Sequence, residues 1–225
     1  MDLSIFSKDE LNFINIQIGL VIKDEKELKM LVDKYWNDKN ITFWDTTNIK
    51  DMNNLFKNSY NFNILLLWNV SNVTNMSRMF FNCKRFNQSL NNWIVSNVED
   101  MSYMFDNCKN FNQPLNNWDV SNVKYMVSIF KYCKKFNQPL NNWDVSYVFS
   151  IREMFYGCEK FNQSLNNWNV SNVEDMEAMF YNCQEFNQPL NNWNVSNVED
   201  MCYMFYNCKE FNQPLNNWNV SNVED

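Results

Sequence analysis

The most regular reactive group in this chain is cysteine, at Cys83, Cys108, Cys133, Cys158, Cys183 and Cys208, always 25 residues apart. A thiolate attacks electrophilic centres or binds zinc, but it needs a base beside it or further ligands at short spacing. The chain contains no histidine. Cys-His dyads, Ser-His-Asp triads and imidazole metal sites are therefore excluded within it. One cysteine per repeat has none of the paired spacing of a zinc site. It fits a column of buried free thiols, with disulfides between neighbours as the competing reading, because stacked segments about 5 Å apart come near bonding range. Cys202 stands off this column and is expected to be the exposed thiol.

Carboxylates are the next candidates, in the pairs Glu99-Asp100, Glu174-Asp175, Glu199-Asp200 and Glu224-Asp225. Acid-base catalysis needs two carboxyl groups whose surroundings differ. Pairs repeated without a distinctive pocket are expected to serve helix N-termini, and Ser96 with Glu99, Ser171 with Glu174 and Ser196 with Glu199 read as capping boxes. No catalytic residue, metal or cofactor is expected. What remains are variable positions. Tyr156, Tyr181 and Tyr206 form a stripe, with Tyr103 and Tyr203 nearby. Tyrosine is enriched at interfaces, so these five are the candidate interaction surface.

The elements behind these positions follow from the repeat. Tryptophans recur at Trp68, Trp93, Trp118, Trp143, Trp168, Trp193 and Trp218, and phenylalanines from Phe80 to Phe205 and from Phe86 to Phe211 keep the same period. A degenerate first unit spans 44–67, six regular units span 68–217, and a partial unit spans 218–225. No single unit can bury its apolar face, but stacked units cover one another. Within a unit, L-N-N-W-x-V has the period of a short inward-facing strand. Val98, Met101, Met104, Phe105 and Cys108 fall at the spacing of one helical face. The expected fold is an α/β solenoid, leucine-rich-repeat-like, with one short parallel strand and one short helical turn per 25-residue repeat. The methionine column is expected to fill core gaps. Asn72, Asn97, Asn122, Asn172 and Asn197 are expected to form a hydrogen-bond ladder that Tyr147 interrupts, and the Asn87 to Asn212 column another.

Residues 1–43 lie outside the repeat. Asp24 to Asp38 carries Leu28, Leu31, Val32 and Tyr35 at helical spacing, predicting an amphipathic helix that caps the N-terminal edge. At the other end the sequence stops at W-N-V-S-N-V-E-D, in mid-repeat. Two-fold self-association through Tyr206, Phe211, Leu215, Trp218, Val220 and Val223 is expected there, giving a homodimer or higher homo-oligomer.

The unit W-D-V-S-N-V-x-x-M-x-x-M-F-x-x-C-x-x-F-N-Q-P-L-N-N resembles the repeat of BspA-like leucine-rich repeat surface proteins and the mycoplasma lipoprotein-associated repeats of unknown function. The segment Glu27–Trp36 followed by Trp44-Asp45-Thr46-Thr47-Asn48-Ile49 is similar to the usual lead-in to such arrays. The resemblance implies surface display and adhesion to proteins for bacterial members. Similar repeats in large viruses of protists imply a virion-associated or host-interaction role.

A net charge of −7 disfavours non-specific nucleic-acid binding. The start MDLSIFSKDE lacks a secretory signal, so the chain is expected to be intracellular at synthesis, in a host cytoplasm or packaged in a virion, without membrane insertion. The function expected is a non-enzymatic protein-interaction surface that also self-associates, with a structural self-assembling component as the alternative.

Overall fold

The 25-residue period becomes a stacking distance in the computed structural model, which describes residues 19–224. Phe80, Phe105, Phe130, Phe155 and Phe180 lie in one column with successive ring centroids 5.7–5.8 Å apart and planes within 9° of parallel. The Phe86, Phe111, Phe136, Phe161 and Phe186 column repeats at 5.8–6.0 Å. Within a coil the two columns touch, as Phe105 and Phe111 do at 4.2 Å. Each phenylalanine thus packs on the same residue of the coils before and after it, in the offset geometry that aromatic rings prefer.

The coils are not built as expected. Among the described residues there is no β-strand, and the one α-helix lies outside the repeats. In place of a sheet, neighbouring coils pair at isolated parallel bridges, such as Asn75 with Asp100 and Asp100 with Tyr125. The α/β solenoid with a strand and a helical turn per repeat is therefore incorrect. A succession of tight turns takes its place. In one coil, Trp93 N donates to Leu90 O, Val98 N to Val95 O, Met104 N to Met101 O, Cys108 N to Phe105 O and Phe111 N to Cys108 O, at 2.9–3.1 Å. Each bond closes a four-residue turn. Overlapping turns return side chains inward every three or four residues, so their spacing mimics a helical face. The L-N-N-W segment is a turn rather than a strand.

Left-handed backbone distinguishes these turns from a helix. Tyr103 (φ 59°) and Asn107 (φ 60°) occupy the third positions of the 101–104 and 105–108 turns. A positive φ there is what a type II turn requires. The second of these positions is held by Asn58, Asn82, Asn107, Asn182 and Asn207, and asparagine tolerates this region better than most residues. The acidic pairs have a different role from the one expected, since no helix follows them. Asp100 Oδ1 accepts from Ser102 N and Asp175 Oδ1 from Glu177 N, fixing the entry to the next turn.

Along one row the hydrogen bonds between coils run one way. Met76 N donates to Asp100 O, Arg78 N to Ser102 O, Phe80 N to Met104 O and Asn82 N to Asp106 O, at 2.7–3.0 Å. This segment therefore points amides at the following coil and carbonyls at the preceding one. The asparagine ladders form as expected. Asn97 Nδ2 donates to Ser71 O and Asn122 Nδ2 to Ser96 O, both at 2.7 Å. Asn112 N and Gln113 Nε2 both donate to Asn87 Oδ1. Trp118 Nε1 reaches back to Leu90 O at 3.2 Å, and Trp143 Nε1 to Leu115 O at 3.0 Å. Valine, methionine, leucine and cysteine fill the remaining interior in one continuous core.

At the N-terminal end, α1 spans Glu25–Tyr35, with Leu28 and Val32 buried on its inner face. Asp24 caps it by accepting from Glu27 N, while the Glu27 carboxylate accepts from Lys23 N. Glu25 Oε1 accepts from Lys50 N at 3.0 Å, tying α1 to the first coil. That bond lowers the pKa of the Glu25 carboxyl. A 3-10 helix, Lys39–Phe43, leads into the stack.

Candidate interaction surface

The cysteine column is structural. Cys83, Cys108, Cys133, Cys158 and Cys183 are buried and free. Each thiol of the column donates to a carbonyl one coil earlier, Cys108 Sγ to Phe80 O and Cys133 Sγ to Phe105 O at 3.0 Å. Burial raises the pKa of the Cys108, Cys133 and Cys183 thiols well above the ordinary value, which suppresses the reactive thiolate. Among the described residues no group of three potential metal ligands comes together. Cys202 is partly exposed rather than exposed, and so is Cys208 at the end of the column, where the sequence predicts a buried thiol.

The tyrosine stripe becomes a stack of rings. Tyr156 and Tyr181 lie 4.4 Å apart and 3° from parallel, and Tyr181 and Tyr206 follow at 4.7 Å. Tyr203 meets Tyr206 edge-on at 6.0 Å. Tyr103 is not part of this run and instead lies against the Arg78 guanidinium, 4.4 Å from its ring centroid. The run gains a member that the sequence did not point to, Tyr132, which contacts Tyr156 edge-on at 5.1 Å. Tyr132 occupies a left-handed position held by asparagine in most coils, and Gly157 follows one coil later (φ 70°). A Cβ on Gly157 would sit 2.7 Å from Tyr132 Cδ1, so the glycine leaves room for the ring. A tyrosine and a glycine at successive positions of an asparagine column were the signal.

Charge gathers beside this run. Lys131 Nζ pairs with Glu153 Oε2 at 2.6 Å and lies 4.8 Å from the Tyr156 ring centroid. Ser128 Oγ donates to the same Glu153 oxygen at 2.8 Å. Burial pushes the Glu153 carboxyl up, but the Lys131 and Ser128 hydrogen bonds outweigh it and hold the pKa below its ordinary value. Asp106 is buried nearby, and burial raises its pKa to about 7, opposed by Lys131 and Arg78 and reinforced by Glu153. Arg152 pairs with Glu177 across the next junction. Burial, then the neighbouring Tyr132 and Tyr181, raise the pKa of Tyr156, so the ring stays a neutral phenol.

The last coil presents the other candidate surface. Phe211, Leu215, Trp218 and Val223 are partly buried, while Tyr206 and Val220 are exposed. Met201, Tyr203, Phe205, Tyr206, Leu215 and Trp218 line much of an open cleft of about 400 Å³. Because the bonds along this row run one way, Met201, Tyr203, Phe205 and Asn207 present amides at its edge. Two such edges related by a two-fold axis set donors against donors along that row. A segment offering carbonyls fits it.

Residues 26–143 and 126–225 each match the model of a family described as Mycoplasma protein of unknown function, DUF285. The chain belongs to this family. The two matches overlap and run through the stacked coils, so the family's signature here is the repeat. No curated protein and no solved structure matches the chain. Among the described residues no helix is long and apolar enough to cross a membrane.

Proposed function

We propose that this member of the family is a non-enzymatic repeat protein that presents a protein-interaction surface, in the manner of the BspA-like surface repeats it resembles. The observation that carries the reading is the run Tyr132, Tyr156, Tyr181 and Tyr206, four rings in contact along the outside of successive coils. Tyrosine offers large contact area with few rotatable bonds, and Lys131, Glu153, Arg152 and Glu177 give the run a polar rim. The columns that could have supplied catalysis are occupied by packing. A photo-crosslinking amino acid at Tyr181 tests the reading in native material. One discrete protein adduct, lost when Tyr156 and Tyr206 are changed to asparagine, is the expected result. No adduct, or one indifferent to those changes, contradicts it.

Self-association through the last coil is the second part of the proposal, with a homodimer or higher homo-oligomer as its product. The apolar cleft at Leu215 and Trp218 and the amide row from Met201 to Asn207 support it. The polarity of that row favours a heterologous over a two-fold contact. Light scattering of residues 1–225 at micromolar concentration should give a mass above the monomer, and removal of residues 193–225 should change the association. Equal association by both chains rules this out.

A further inference from the structure

The short turn after each column cysteine forms an outer edge of the stack, at residues 84–85, 109–110, 134–135, 159–160, 184–185 and 209–210. Backbone bonds hold this edge in register. Arg85 N donates to Tyr60 O, Glu185 N to Glu159 O and Glu210 N to Gln184 O, at 3.2–3.3 Å. Charge divides the edge in two. Its first three turns carry Lys84, Arg85, Lys109, Lys134 and Lys135 and no carboxylate. Its last three carry Glu159, Glu185 and Glu210 together with Lys160 and Lys209.

Where a carboxylate stands in the following coil, the chain uses it. Lys131 pairs with Glu153, Lys134 with Glu159, Arg152 with Glu177 and Lys160 with Glu185. The first part of the edge has none to use. Lys84 is followed one coil on by Lys109 and then by Lys134, and Arg85 by Asn110 and then by Lys135. Among the described residues, Lys84, Arg85, Lys109 and Lys135 make no ion pair. Lys84 Nζ lies instead 4.6 Å from the Tyr60 ring centroid. Arg85, Lys109 and Lys135 are exposed. Coils lie about 5 Å apart, so the lysine column sets like charges opposite one another, which costs stability. Natural proteins keep such local conflicts chiefly where a site needs them.

We propose that this basic edge binds a short acidic peptide segment of a partner protein, a contact separate from the tyrosine run. Glutamate and aspartate supply the carboxylates that the four cations lack, and arginine takes a carboxylate in a two-pronged hydrogen bond. The extent of the positive field selects a short occupant. Three coils span roughly 10 Å, the reach of three or four extended residues. Further along the stack, residues 168–192 carry Glu174, Asp175, Glu177 and Glu185 and no cation. A nucleic-acid strand or an anionic bilayer extends past the basic turns onto those acidic coils, whereas a short acidic segment ends before them.

The test is fluorescence anisotropy of the full chain with a labelled peptide of about six glutamates between Gly-Ser flanks, long enough to cover the edge. The same peptide with glutamines, a single-stranded DNA and phosphatidylserine vesicles are measured alongside. The comparison chain carries Lys84→Gln, Arg85→Gln, Lys109→Gln and Lys135→Gln. It should melt no lower than the parent, because like charges are removed. The expected result is saturable binding of the glutamate peptide that weakens with salt and falls about tenfold or more in this variant. Lys109→Arg, which keeps the charge, should retain it. Lys50→Gln, Lys124→Gln and Lys209→Gln together remove charge elsewhere and should change it by less than about twofold. Tyr181→Asn should leave it unchanged, so this proposal and the tyrosine run stand or fall separately. Equal binding of the glutamine peptide, tighter binding of the DNA or the vesicles, no binding, or a loss no greater in the quadruple variant than in the Lys50, Lys124 and Lys209 variant overturns the proposal.

Discussion

The junction between Glu99 and Lys124 and the junction between Lys124 and Phe149 have the same backbone register and nearly the same core, yet only the first is fully bonded. Beneath both, phenylalanine columns stack at 5.8 Å. The difference lies in three outward residues, Tyr125, Tyr147 and Phe149. The core thus determines that coils stack, and surface columns determine how tightly each seam closes. A repeat protein can weaken one seam without disturbing the stack, because the aromatic columns hold the register.

The largest effect should come from breaking what the two junctions share. Phe155→Ala removes contacts with Phe130, Phe161, Trp168 and Phe180. A loss of about 3–5 kcal/mol is expected in chemical denaturation. Gly157→Ala comes next, because it places a Cβ against Tyr132 at a positive φ. It should cost about 1–3 kcal/mol, and Tyr132→Asn should recover part of that if the ring is the obstacle.

A smaller effect sharpens the contrast. Tyr147→Asn supplies the missing rung to Ser121 O and should stabilise the chain by about 0.5–1.5 kcal/mol. The corresponding Asn122→Tyr should destabilise by a similar amount, since it removes the bond to Ser96 O. The last effect is a pH dependence beside the tyrosine run. Burial raises the Asp106 pKa from 3.8 to about 7. A raised folded-state pKa stabilises the fold below pH 4, and that contribution is lost as pH rises through 7. Asp106→Asn should therefore flatten the decline in melting temperature between pH 4 and pH 7. An unchanged slope would place its cause elsewhere.

The sequence made the stacking legible because identical residues at a fixed period have one economical arrangement, each on its own copy. The Asn97 and Asn122 rungs and the buried thiols followed from that, while the inner face of α1 followed from the helical spacing of Leu28 and Val32. It did not reveal the local backbone. Val98, Met101, Met104, Phe105 and Cys108 are spaced for a helix and for overlapping turns alike, and only the positive φ at Tyr103 and Asn107 separates the two. Tyrosine at a left-handed position gives little warning, since that conformation favours glycine and asparagine. The capping boxes failed for the same reason: Asp100 and Asp175 fix turns, not helix starts. In the candidate surface, Tyr156, Tyr181, Tyr206 and Tyr203 came together because three share a column. Tyr103, with the same backbone as Tyr203, did not, because Asp106 stands in its coil where Tyr206 meets Tyr203, and its ring lies against Arg78. Tyr132 was hidden by an irregularity whose meaning depends on Gly157 one coil away.

Site-resolved amide hydrogen exchange tests the contrast between the two seams most directly. Met101 and Lys124 amides, bonded to Tyr125 O and Glu99 O, should exchange slowly, at rates set by opening of the stack. Met126 and Phe149 amides, which lack the corresponding well-formed bonds, should exchange markedly faster, and Tyr147→Asn should slow them. Equal protection of all four amides would contradict the account.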